Sequence, residues 1–154
     1  MILSAYSSAS IEAVRREVPG GLLWFQLQLC ADSDLIKELV GRAERAGFRA
    51  PVLTVDIPVV PLLIASRFVN FEGTSADAFS DFKSARALSM RDPLVDAGMT
   101  WDDVTWLKSI TNLPVVIKGV MTAEDAEAAI SRGASAILVS NHGGRQLDGL
   151  PATV

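Results

Sequence analysis

Apolar runs alternate along the chain with segments whose apolar positions recur at helical spacing. Five short runs, near residues 2, 25, 53, 116 and 138, predict strands, and the segments between them predict helices. In chain order the predicted elements are strand 1–4, helix 10–18, strand 22–29, helix 34–46, strand 51–56, helix 100–110, strand 114–118, helix 122–133 and strand 136–140. Because this alternation builds right-handed βαβ units, we expect an α/β fold with a parallel sheet.

Polar caps and a glycine mark the ends of two predicted helices. Asp32 or Ser33 can cap the second helix, and Gly47 can end it. Thr122 can open the last helix with Asp125 at its third position, which is a variant of the capping box. The polar region from 66 to 99 is long for a loop in a compact domain, so we expect it to be functional or partly helical.

Polar side chains follow four successive predicted strands where the apolar runs stop. They are Gln26 and Gln28, Thr54 and Asp56, Lys118, and Ser140 with His142. Residues i and i+2 of a strand share a face, so each pair should point the same way if strand geometry persists. Ligands bind at this carboxyl edge in α/β folds. The alternative is that polar residues merely mark where strands leave the core, but a lysine, an aspartate and the only histidine at one edge favour a site.

The residue types at this edge indicate an acid–base reaction. His142 is the side chain best suited to take a proton near neutral pH, and Asp56 can fix its tautomer. Arg145 carries a planar fork that suits a carboxylate, and Lys118 can stabilise an anion. A redox reaction would need a cofactor, because no side chain accepts a hydride. A structural histidine and a solvated Arg145 are the alternatives.

Composition excludes several other classes of function. The 154 residues carry a net charge of −4, so nothing in the charge favours nucleic acid or an anionic membrane as a partner. A lone cysteine, Cys30, forms no intrachain disulfide, and one cysteine with one histidine cannot build a usual zinc site. The apolar stretch 57–65 is too short to span a bilayer. The lone cysteine fits a reducing compartment, so we expect an intracellular protein. The choice between peroxisome and cytoplasm stays open, and so does assembly as a homo-oligomer.

Four segments of the chain resemble one enzyme family. Residues 140–148 read SNHGGRQLD, residues 113–120 read LPVVIKGV, and residues 24–27 and 53–56 read WFQL and LTVD. The sequence closely resembles the FMN-dependent α-hydroxy-acid oxidases and dehydrogenases, and the nonapeptide is the most specific part of the likeness. The resemblance covers nearly the whole chain.

The resemblance implies a TIM barrel, a fold that typically needs about 250 residues. By the same resemblance, the five predicted strands correspond to about strands two to six of eight. Residues 1–154 are therefore expected to form a partial FMN-dependent hydroxy-acid dehydrogenase domain, or partial TIM barrel. The loops after strands seven and eight, which usually bind phosphate, would lie outside it.

The resemblance also implies roles for individual residues. The residues implied for the flavin of FMN are Ser4, Gln26, Thr54, Lys118 and Ser140. His142 would be the base, Asp56 would support it, and Arg145 would hold the substrate carboxylate. The reaction implied is oxidation of a small (S)-2-hydroxy acid to the 2-oxo acid, with electrons passed to oxygen or another acceptor. The resemblance leaves open whether the C2 hydrogen leaves as a proton or as a hydride.

The sequence departs from the family pattern at three positions. Gln28 replaces a tyrosine that contacts substrate, Leu63 lies near the place of a further arginine, and Tyr6 replaces a tryptophan. These departures keep an alternative open, namely a shortened, flavin-free and inactive member with a binding or structural role. A flavin absorbance spectrum would separate the two hypotheses.

Overall fold

A computed structural model describes residues 1–57 and 96–153, and within these ranges the chain forms one parallel sheet with helices. The strands are β1 (Ile2–Ser4), β2 (Trp24–Leu27), β3 (Pro51–Thr54), β4 (Val116–Val120) and β5 (Ala136–Val139). The helices are α1 (Ile11–Glu17), α2 (Ser33–Arg45), α3 (Trp101–Ser109) and α4 (Ala123–Ser131). The strand order is β1-β2-β3-β4-β5, which confirms the predicted α/β fold with a parallel sheet.

The two faces of the sheet bury different side chains. One face packs on the helices and contributes Phe25, Leu53 and Ile117 to the main core. The other face contributes Val52 and Val116 to a smaller apolar cluster, against which Trp24 and Leu138 pack. Side chains alternate between faces along a strand. The predicted site residues of β2, β3 and β4 therefore continue this second face, beyond its apolar cluster.

Three strands end earlier than predicted. β2 ends at Leu27 rather than residue 29, β3 ends at Thr54 rather than Asp56, and β5 ends at Val139 rather than Ser140. His142 has a φ of 57°, which is incompatible with a strand, and it begins a short 3₁₀ turn (His142–Gly144). The condition on which Ser140 and His142 were expected to share a strand face is therefore not met, although a turn brings them into contact.

The predicted helix caps are present, with one difference. Asp32 caps α2, and Gly47 follows that helix with a φ of 79°. Thr122 caps α4, but Asp125 bonds the Thr122 hydroxyl instead of its backbone N–H, so the predicted reciprocal box is incomplete. Most of the 66–99 region lies outside the described residues. In the described part of the chain no helix is long and apolar enough to cross a membrane.

Candidate active site

A cavity of about 540 Å³ lies at the carboxyl edge of the sheet. All five strands deliver residues to its wall, because parallel strands end at the same edge. Six of the eight residues proposed from the sequence line it, and Asp56 contacts two of them from beside it. The lining residues are Ile2, Ser4, Tyr6, Gln26, Gln28, Thr54, Ile57, Lys118, Leu138, His142 and Arg145, while Ser140 lines an adjoining cavity with Asp56.

A cluster of three polar side chains surrounds the carboxylate of Asp56. His142 Nδ1 lies 2.7 Å from Asp56 Oδ1, and Lys118 Nζ lies 3.4 Å from Asp56 Oδ2. The Ser140 hydroxyl donates to the same Oδ2 at 3.3 Å. Only 11% of the Asp56 side chain and 13% of the His142 side chain are exposed, so water screens this cluster weakly.

The short contact to Asp56 fixes the tautomer of His142. A bare nitrogen lone pair at 2.7 Å from a carboxylate oxygen would be repelled, so Nδ1 carries a hydrogen and donates it to Asp56. Lys118 Nζ also lies 3.3 Å from Nδ1, but two donors do not bond, and the ammonium is held by the carboxylate instead. Neutral His142 therefore keeps its lone pair on Nε2, the nitrogen able to accept a proton.

The backbone around His142 adopts a left-handed conformation that its neighbours support. His142, Gly143 and Gly144 have φ values of 57°, 67° and 68°, and the two glycines adopt them without steric cost. Left-handed backbone costs a residue with a Cβ roughly 1–2 kcal/mol. The His142 N–H donates to Ser140 Oγ at 3.0 Å, and the Gly143 N–H donates to Asn141 Oδ1 at 3.0 Å. These two bonds hold the turn that aims the imidazole at Asp56.

Gly119 creates the space that Asp56 occupies. It lies between Lys118 and Val120, where the pairing of β4 with β5 shifts register, and its φ is 111°. A Cβ at this position would lie 2.5 Å from Asp56 Cγ and 2.8 Å from the Asp56 backbone nitrogen. The close approach of Asp56 to β4 is therefore possible only for glycine. Hydrophobic patterning did not single out Gly119.

The remaining predicted residues lie around this cluster. Gln26 Nε2 donates to Thr54 Oγ1 at 2.9 Å, which joins the ends of β2 and β3. Ser4 Oγ accepts from the Tyr6 N–H at 3.1 Å. Arg145 is exposed, and its Nε–H donates to the His142 carbonyl at 3.0 Å. Within the described residues its two terminal nitrogens have no partner, so they are available to a carboxylate.

Tyr6 is a neutral hydroxyl in the cavity wall at physiological pH. Burial, and after it the neighbouring Cys30, raise the pKa of Tyr6 from its ordinary 10 to about 12. The folded protein therefore holds this proton more tightly than the unfolded chain between pH 10 and about 12. The stability that this provides is lost as the pH rises through that window.

We expect the tyrosinate absorbance of the folded protein to appear with a midpoint near pH 12. Tyr6 is the only tyrosine of the chain, so an ultraviolet pH titration reports on this one group. Tyr6→Phe should abolish the signal and serves as the control. A midpoint near 10 would show that the phenol is not buried as described.

Comparisons with known proteins agree on one family. A sequence profile for the FMN-dependent dehydrogenases matches residues 1–154. Glycolate oxidase 1 of Oryza sativa subsp. indica is 43% identical over 165 residues, which cover all of this chain and 44% of the rice protein. The chain thus spans less than half the length of the curated relatives that it matches.

Solved structures give the same result. A mandelate oxidase with (S)-2-phenylpropionate is 36% identical with a TM-score of 0.84, and the match covers 99% of this chain and 41% of that one. A lactate oxidase of Pediococcus acidilactici is 34% identical with a TM-score of 0.83, covering 99% and 42%.

These matches confirm the fold and cofactor expectations. They confirm the partial TIM barrel, since the sheet superposes on part of each larger barrel. FMN is the cofactor of the family, and a further mandelate oxidase structure with a TM-score of 0.84 holds an FMN adduct. Leu63, which lies near the place of a family arginine, is outside the described residues. The chain belongs to the FMN-dependent dehydrogenase family, whose members here are oxidases and dehydrogenases of 2-hydroxy acids.

Proposed function

We propose that this protein oxidises a small (S)-2-hydroxy acid to the 2-oxo acid, with FMN as the first electron acceptor and oxygen or another acceptor next. The observation that carries the proposal is the 2.7 Å contact between Asp56 and His142. It produces an oriented base in a cavity that also contains Arg145. Residues 1–154 would be part of one FMN-dependent hydroxy-acid dehydrogenase domain.

The polar groups of the cavity wall suit a flavin. Its ring carries both hydrogen-bond donors and acceptors, and the wall offers the amide of Gln26 and the hydroxyls of Ser4 and Thr54. Ser140 stands in the adjoining cavity, and Lys118 supplies a cation that would stabilise negative charge on a reduced ring. We therefore assign Ser4, Gln26, Thr54, Lys118 and Ser140 to FMN. When bound, FMN would supply the two-electron acceptor that no side chain provides.

The chain's own residues would bind the substrate and take up its proton. Arg145 would hold the carboxylate in a bidentate pair through its two terminal nitrogens. His142 Nε2 would accept a proton from the substrate, whether the C2 hydrogen leaves as a proton or as a hydride and the hydroxyl loses its proton. Asp56 would then stabilise the imidazolium, because its carboxylate already accepts the Nδ1–H.

Two measurements on the purified protein test this function. The first is a visible absorbance spectrum, which should contain the bands of a bound flavin. The second is an anaerobic titration with short 2-hydroxy acids, which should bleach those bands and form the 2-oxo acid. A colourless protein that binds no added FMN would instead support the flavin-free alternative with a binding or structural role. Further assays would identify the preferred acid, the electron acceptor, the oligomeric state and the compartment, peroxisome or cytosol.

Arg145→Lys is expected to weaken the binding of 2-hydroxy acids. The change keeps the positive charge but replaces a bidentate fork with a single ammonium. We therefore expect a loss of roughly 1–3 kcal/mol of binding free energy from charge-assisted hydrogen bonds. Equilibrium titration of the substrate carboxylate and the KM both report the effect. Arg132→Lys is a matched control, because Arg132 pairs with Asp102 on the surface, away from the cavity. Equal affinities in wild type and Arg145→Lys would remove Arg145 from the proposed site.

A further inference from the structure

Gln28 presents a polar atom with no partner. Its Oε1 is buried and accepts no hydrogen bond, and it is the one such side-chain atom found in residues 1–57 and 96–153. The residue as a whole is 8% exposed. A buried acceptor without a donor costs about 1–3 kcal/mol, so native proteins seldom retain one without a reason.

The position of Gln28 connects this atom with the site. Gln28 follows β2 and lines the same cavity as His142 and Arg145. In the sheet, β3 and β4 separate β2 from β5, after which His142 and Arg145 lie. Gln28 therefore enters the cavity wall from a different strand than the groups assigned to the substrate's proton and carboxylate, with two strands between them. A ligand that engages those two groups can reach Gln28 only with its remaining substituent.

We propose that Gln28 is a specificity-determining residue, whose carboxamide binds a second hydroxyl of the substrate, beyond the one on C2. This inference rests on the proposed function and deepens it by naming the substrate class: short 2-hydroxy acids that carry a further hydroxyl, for example on C3. A site with a buried acceptor discriminates against a ligand that lacks the matching group, since binding would leave the acceptor unpaired.

A hydroxyl matches Gln28 better than other substituents do. A carboxamide can turn over and present either its oxygen or its NH₂ group to the cavity. A hydroxyl both donates and accepts, so it pairs with either orientation. A carboxylate on the substituent only accepts hydrogen bonds, so it could pair with the NH₂ group but never with Oε1. An alkyl group would leave the amide without any hydrogen-bond partner. Tyr6, a neutral phenol in the same wall, adds a second polar neighbour.

The test compares two three-carbon acids that differ only at C3. L-glycerate carries a hydroxyl there and L-lactate does not. With the FMN-loaded protein, kcat/KM for glycerate should exceed that for lactate by at least about ten-fold. In Gln28→Met, which keeps the side-chain length and removes the amide, the ratio should fall to near one. Asn112→Leu removes an exposed carboxamide that precedes β4, at the opposite end of that strand, and should leave the ratio unchanged.

Equilibrium binding of the products gives a readout that is independent of turnover. Hydroxypyruvate and pyruvate differ by the same hydroxyl and are not oxidised by the reaction. Calorimetric titration should find hydroxypyruvate bound at least about ten-fold more tightly by wild type and equally by Gln28→Met. A wild type that oxidises both acids but shows no preference in either assay overturns the role of Gln28 and leaves the proposed function standing. Failure to oxidise any 2-hydroxy acid overturns the function itself, and the specificity with it.

Discussion

Replacing His142 by glutamine is expected to lower turnover of a 2-hydroxy acid by about 100- to 10,000-fold or more. The imidazole is the only group in the cavity whose Nδ1 is held by a carboxylate so that Nε2 can take a proton, as far as the described residues show. Glutamine offers an amide that accepts no proton near neutral pH. Bound flavin should remain, because the ring contacts assigned above do not involve this side chain. Steady-state turnover and flavin content of the purified variant provide the two measurements.

A second replacement of His142 tests whether the loss of turnover comes from a disturbed backbone and not from the missing imidazole. His142 has a φ of 57°, and asparagine tolerates this region better than most other residues. His142→Asn should therefore fold with the turn intact and lose turnover to the same degree. Turnover near the wild-type level in either variant would show that another group removes the proton.

Gly119→Ala is expected to destabilise the protein by at least about 2 kcal/mol and to remove Asp56 from His142. The added Cβ would meet both the side chain and the backbone nitrogen of Asp56, so no single rotamer change relieves the clash. The backbone would also have to hold alanine at a φ of 111°. Denaturant unfolding measures the first effect. Nitrogen-15 NMR of the imidazole measures the second, since the chain has one histidine.

Gly133→Ala is the matched control for that experiment. Gly133 has a φ of 99°, but a Cβ there would meet only the Lys108 side chain, whose nearest atom, Cγ, lies at an ordinary contact distance of 3.5 Å. The Gly133→Ala variant should have a lower free energy of unfolding because of backbone strain. The NMR signal of the His142 Nδ1–H that bonds Asp56 should persist. If Gly119→Ala keeps that resonance and wild-type turnover, the placing of Asp56 does not depend on Gly119.

The sequence was sufficient to predict the sheet and the edge at which the site lies. Continuous apolar runs ending in polar residues predict parallel strands whose carboxyl ends meet, and the structure places Gln26, Thr54 and Lys118 in that order along one edge. The chemistry of the residue types predicts the contact between Asp56 and His142, because a base needs an orienting acceptor. Their catalytic roles stay predictions until the variants are measured.

Other features of the site could not be read from periodicity. The turn that carries His142 depends on left-handed backbone at three successive residues, and hydrophobic patterning contains no signal for φ. Gly119 did leave a signal, since a glycine inside a strand often marks a bulge or a close approach of another chain segment. The burial of Gln28 Oε1 without a partner is a property of packing in three dimensions, and no spacing rule predicts it.

The order of the strands determines when, during folding, the residues of the active site come together. Each described strand pairs with its neighbours in sequence. The pairing of β3 with β4 brings together the residues farthest apart along the chain, because Thr54 pairs with Lys118. Loop-closure entropy rises with the length closed, so among the pairings of the described strands this one carries the greatest loop-closure cost. Asp56 belongs to the first half, and Lys118 and His142 to the second. A folding intermediate with both halves formed but not yet joined would contain every one of these residues and no working base.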